Sequence, residues 1–84
     1  MKRKIEVINN ELGLSLDIDN IKDMNGLTWE FMIDMEMFTY DELRLVTDIN
    51  GYNVETLNGA LFSRYGYRDI EQYIEAEYNI NIND

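Results

Sequence analysis

The second half of the chain carries a regular helical rhythm. Tyr40, Leu43, Val46 and Ile49 recur every third residue, which lines them along one side of an α-helix. Ahead of them, Thr39-Tyr40-Asp41-Glu42 has the form of a capping box: the Thr39 hydroxyl accepts from the Glu42 amide while the Glu42 carboxylate reaches back. With Gly51 as the stop, the pattern predicts a helix over 40–50. Asn53 is the next N-cap, Glu55 sits in a first turn where the helix dipole favours negative charge, and Val54, Leu57, Leu61 and Tyr65 form a stripe ending at Gly66. This predicts a second helix over 54–65. A third, over 69–78, follows from the Asp69/Gln72 capping pair and the apolar face of Ile70, Tyr73, Ile74 and Tyr78. Gly51-Tyr52 and Gly66-Tyr67 open the two connections alike, as a duplicated helical hairpin would, and links this short set successive helices side by side.

Gly59 falls mid-helix, where glycine costs about 1 kcal/mol relative to alanine. Close packing of a neighbouring helix is the simpler reason for it; close approach of a ligand or partner is the other.

The first half reads two ways. Ile5, Ile8 and Leu12 suit a helix ended by Gly13, whereas Ile5 and Val7 suit a strand. Leu14, Leu16 and Ile18 alternate with polar residues, Asn25-Gly26 signals a turn, and Trp29, Phe31, Ile33, Met35 and Met37 alternate with Thr28, Glu30, Met32, Asp34 and Glu36. A helix through Leu27, Phe31, Met35 and Phe38 fits the same stretch, and Met and Glu are good helix formers. The favoured expectation is a mainly α, small helical domain. The alternative is an α+β fold with a hairpin of 14–18 and 28–37 packed on the helices.

Composition sets the class. Leu, Ile, Val and Phe make up 24 of 84 residues, above the level at which high charge implies disorder, so the chain is expected to fold as one domain. With no Cys, His or Pro, it lacks disulfides, thiol nucleophiles and imidazole ligands, and the core must hold it together, with homodimer formation as a further support. The basic start 1–4, Met1-Lys2-Arg3-Lys4, and the polar end 79–84 are expected as a mobile arm and tail. The basic start is followed by Glu6, Asn9, Asn10 and Glu11 rather than an apolar signal core, and no run reaches the ~18 apolar residues of a membrane span, so a cytoplasmic location is expected.

Seventeen acids face seven bases, a net charge of −10. Between Glu30 and Glu55 there are seven acids and only Arg44; from Asp69 onward there are five acids and no base. Such a field repels nucleic acid and anionic membranes and attracts basic protein surfaces, although solubility alone also accounts for it. Catalysis finds little material: Ser15 and Ser63 are the serines, neither lies in a nucleophile elbow, and no histidine is present as base. Asp17-Ile18-Asp19-Asn20 resembles the opening of a calcium loop, but Lys22 stands where that loop needs glycine and Thr28 where it needs glutamate. No cofactor or metal is expected.

What remains is contact with another protein. Met24, Trp29, Phe31, Met32, Met35, Met37 and Phe38 concentrate adaptable apolar groups; most belong in a core, while Met32, on the polar side of the alternation, is expected at the surface. The candidate partner-binding residues are Asp41, Glu42, Asp48, Glu71, Glu75, Met32, Tyr52 and Tyr67. Two readings follow: a non-enzymatic interaction or regulatory module for a basic protein surface, and a DNA mimic whose carboxylates stand in for phosphates. Residues 38–57, from Phe38-Thr39-Tyr40-Asp41-Glu42-Leu43 to Asn53-Val54-Glu55-Thr56-Leu57, resemble the helix, Gly-Tyr turn, helix segment of acidic antirestriction proteins of the ArdA type. That resemblance implies an elongated DNA mimic, carried on a mobile element, that blocks restriction enzymes.

Overall fold

The computed structural model describes residues 1–82 and folds them into five helices: α1 (Lys2–Leu12), α2 (Met24–Asp34), α3 (Tyr40–Asn50), α4 (Val54–Tyr65) and α5 (Ile70–Tyr78). No strand occurs among the described residues, so the mainly helical expectation holds and the hairpin alternative does not. The three C-terminal helices occupy the spans their caps predicted. Thr39 and Glu42 complete both halves of the capping box, and Asn53 and Asp69 accept from the Thr56 and Gln72 amides. Local hydrogen bonding alone decides these boundaries.

The N-terminal half departs from its alternation for two reasons. Leu14, Leu16 and Ile18 do turn inward while Ser15, Asp17 and Asp19 face solvent. No second strand pairs with them, however. The Asn9 side-chain amide takes a strand's place, accepting from Leu16 N at 2.9 Å and donating to Leu16 O at 3.1 Å. Residues 28–34 are helical because α2 lies in the heart of the core, burying Leu27, Thr28, Phe31 and Met32 together. A helix apolar on most sides shows no clean 3.6-residue period. Asn25-Gly26 lies in the first turn of α2 rather than in a hairpin turn, because Asp23 caps that helix through the Gly26 amide at 2.9 Å. After Asp34 the chain reverses through Glu36, held in the left-handed region at φ 57°.

The core is built from all five helices: Ile5 and Ile8 of α1, Leu27, Phe31 and Met32 of α2, Leu43 of α3, Leu57 and Leu61 of α4, and Ile70 and Ile74 of α5 are fully buried. Helix α4 packs against both α2 and α3. Met32 is thus a core residue, correcting the surface position expected from the alternation. Lys2, Arg3 and Lys4 form the first turn of α1 rather than a separate arm, held there by buried Ile5 and by a 2.6 Å ion pair from Lys4 Nζ to Glu71 on α5. Of the polar tail, Ile80 lies against the core and Ile82 is buried; residues 83–84 lie outside the described residues.

Gly59 also departs from expectation. A Cβ built there would meet nothing within 4 Å, so no helix packs against it. Replacing Gly59 with Ala should therefore raise stability by about 1 kcal/mol, the intrinsic helix-propensity difference, as read by urea denaturation. Met32→Ala should lower it by about 2–5 kcal/mol, the usual loss for a fully buried methionine, against near neutrality had the residue been exposed.

Candidate interaction site on helices α3 and α4

Helices α3 and α4 form an antiparallel hairpin that is fastened at both ends. At one end the Glu42 carboxylate, already accepting from the Thr39 amide at 2.9 Å, takes a two-pronged grip from Arg64: Nη1 at 3.2 Å and Nη2 at 2.7 Å. Arg64 also donates to the Met37 carbonyl at 3.2 Å and lies over the Phe38 ring at 4.4 Å, and the Tyr65 hydroxyl donates to the same carbonyl at 2.8 Å. At the other end the Thr56 hydroxyl donates to the Asn50 carbonyl at 3.3 Å. Trp29 of α2 braces α3 from behind, meeting Tyr40 and Tyr52 edge-on at 5.8 and 5.7 Å.

Between these fastenings α3 buries only Leu43. Of the expected stripe, Val46 is half-buried, and Tyr40 and Ile49 are exposed. Ile49 is 72 % exposed, Leu45 62 % and Phe62 on α4 63 %. Leu45 and Ile49 are four residues apart and form one outward ridge. Beside it runs a groove of about 460 Å³, lined by Val46 and Asn50 of α3 and by Glu55, Thr56, Gly59 and Ala60 of α4. A cavity of about 510 Å³ covers the Arg64 end, but Glu42, Arg64, Thr39 and Tyr65 in its lining are already bonded to one another or to the backbone.

The structure sorts the predicted site residues. Asp41 and Asp48 are exposed on α3 with no ion-pair partner among the described residues. Glu42 is engaged by Arg64, and Glu71 by Lys4, so neither carboxylate is available to a partner without breaking a pair. Glu75 is exposed on α5, a different element from the α3 acids. Tyr52 is part of the Trp29 brace, and Tyr67 donates to Glu77 and meets the Tyr73 ring edge-on at 5.3 Å. Met32 is buried and takes no part. Leu45, Glu55 and Phe62 complete the exposed face and were not among the candidates. The available signal was Leu45 itself, an apolar residue off the Tyr40-Leu43-Val46-Ile49 line.

Among the described residues there is no cluster of acids arranged to hold a metal ion, and no helix is long and apolar enough to cross a membrane. Fold and surface together define a small acidic helical domain with an open hairpin face. Comparison with protein-family models, with curated proteins and with solved structures returns no match for this chain.

Hydrogen bonds from Arg64, then from the Thr39 amide, pull the Glu42 carboxyl down from 4.5 to about 2. Because the folded value lies below the ordinary one, this pairing stabilises the fold fully above about pH 4.5 and is lost as pH falls toward 2. An NMR titration should place the Glu42 midpoint near 2 in the native chain and back toward 4.5 in Arg64→Met. Glu42→Gln should show a smaller loss of stability than the native chain across that window.

Proposed function

We propose that this protein acts without catalysis, as a small acidic module that docks on a basic surface of another protein. The observation that carries the reading is the α3–α4 face: Leu45, Ile49 and Phe62 stand in solvent on a hairpin fastened at both ends, with Asp41, Asp48 and Glu55 exposed on the same two helices. Large apolar side chains held out among charges that are mostly negative, Arg44 being the exposed base between Asp41 and Asp48, combine a contact area with a steering field for the opposite sign. The surface is presented on a rigid support, which keeps the ordering cost of binding low.

A phosphate-mimicking version of this reading is supported by Asp41 and Asp48, seven residues apart on one exposed helix and therefore about 10.5 Å apart along its axis. In that version the basic surface is one that otherwise grips nucleic-acid phosphates. The ion pairs at Glu42 and Glu71 leave it fewer carboxylates than the sequence offers.

The test is capture from extracts of the source organism on the immobilised protein, repeated with Asp48→Lys and with an Asp41→Lys/Asp48→Lys/Glu55→Lys variant. The native chain should retain a basic protein that rising salt releases, and the triple variant should not. Asp48 lies in the last turn of α3, where a base suits the helix dipole better than an acid, so Asp48→Lys should be as stable as the native chain or up to about 1 kcal/mol more stable. Loss of capture by Asp48→Lys is then not loss of fold, and the triple variant, whose new lysines at positions 41 and 55 oppose the dipoles of α3 and α4, is checked for retained helix content by circular dichroism. Displacement of the captured protein by duplex DNA assigns the phosphate-mimicking version. Equal retention by native and charge-reversed chains overturns the reading.

A further inference from the structure

Resting on that reading, we infer that the groove between α3 and α4 receives a cationic amphipathic helix of the partner protein. The floor of the groove is low because Thr56, Gly59 and Ala60 carry small side chains or none. At Gly59 the fold itself does not require this: a Cβ would meet only open space, and glycine within a helix is locally unfavourable. What the missing side chain does provide is close approach for something outside the molecule. The α3 bank is Val46 and Asn50, and just outside it stands the exposed Leu45–Ile49 ridge, an apolar row set at the spacing of a helix surface.

The length and charge of the site specify the occupant. On α3 the groove runs from Val46 to Asn50, about 6 Å of axis, so it takes the side chains of about one turn of a second helix lying along the hairpin. Placing the α3 residues around its axis puts Asp41 and Asp48 on the solvent side of the ridge, and Glu55 lines the opposite bank. The apolar track is therefore bordered by carboxylates on both sides, which suits a helix with a narrow apolar stripe flanked by Lys or Arg on both edges. A second copy of this chain is disfavoured as occupant, because a two-fold contact would set this acid-bordered face against its own copy in molecules of net charge −10 each. The same charges disfavour nucleic acid and anionic lipid.

The probe is a synthetic peptide of about 18 residues, five helical turns, made of Leu, Ala and Lys with an apolar stripe between lysine edges. Its controls are the same composition scrambled to abolish the stripe, and the striped sequence with Glu for Lys. Titrated into the isotope-labelled full chain, the striped cationic peptide should bind about tenfold more tightly than the scrambled one, and the acidic one not at all. Its amide shifts should concentrate on residues 45–50 and 55–60. Ile49→Gln removes the ridge, and Gly59→Gln fills the floor with a better helix former; each should weaken binding about tenfold with no loss of thermal stability. Equal binding of striped and scrambled peptides, with shifts spread over all the acids, overturns the groove while leaving acid-driven docking intact. Sedimentation showing a dimer that Ile49→Gln dissociates assigns the face to a second copy and likewise overturns it. Absence of any peptide binding, joined to absence of capture from extracts, removes both this inference and the reading it rests on.

Discussion

Burial of Leu57 and Leu61 on α4 is the contact on which the rest of the molecule depends. Helix α4 lies against α2 on one side and α3 on another, and both leucines are fully enclosed. In a chain of 84 residues without cysteine, the total margin of stability is small, and truncating either leucine would remove a large share of it. The arrangement also determines what α3 is. Its supports are α4 and the Trp29 brace, so one residue, Leu43, is fully buried, Val46 is half-buried, and Tyr40, Leu45 and Ile49 turn outward. The exposed face is thus a consequence of architecture before it is a resource for binding.

How much of this could be read in advance depends on how local each cause is. The α3, α4 and α5 boundaries were legible because Thr39, Asn53, Asp69, Gly51 and Gly66 act on amides and carbonyls a few residues away. Across α2 and the turn after it the even positions 30, 34 and 36 happen to carry the acids, and the resulting alternation imitates a strand, while the burial of Met32 comes from helices distant in sequence. Leu14–Ile18 failed differently. Its inward and outward faces were as the alternation implied, but its hydrogen-bond partner was an asparagine side chain, which no periodicity reveals. The site was legible in part: Asp41 and Asp48 are exposed as expected, whereas the engagement of Glu42 by Arg64 and of Glu71 by Lys4 spans 22 and 67 residues of sequence.

The net charge divides into acids with structural work and acids without it. Asp23, Asp69 and Glu42 bond to backbone amides at helix starts, Glu42 and Glu71 also hold ion pairs, and Asp41 and Glu55 lie in first turns where the dipole welcomes them. Asp48 has no such place. It sits in the final turn of α3, with no base nearby in that turn to offset the carbonyl ends.

Three local departures from what favours folding therefore fall on one pair of helices. Gly59 interrupts a helix where alanine would fit, Asp48 opposes the dipole of its own helix, and Leu45 and Ile49 place large apolar groups in water. Each alone is a small cost that marginal proteins tolerate. Sequences that fold well keep local preference and global structure in agreement, and the exceptions gather where something other than folding sets the residue. Here they gather along the α3–α4 groove, between two fastenings that keep the hairpin in place whether or not the groove is filled. The costs are borne by the part of the molecule least able to bury them and best supported to display them, which is the physical profile the proposed docking role requires.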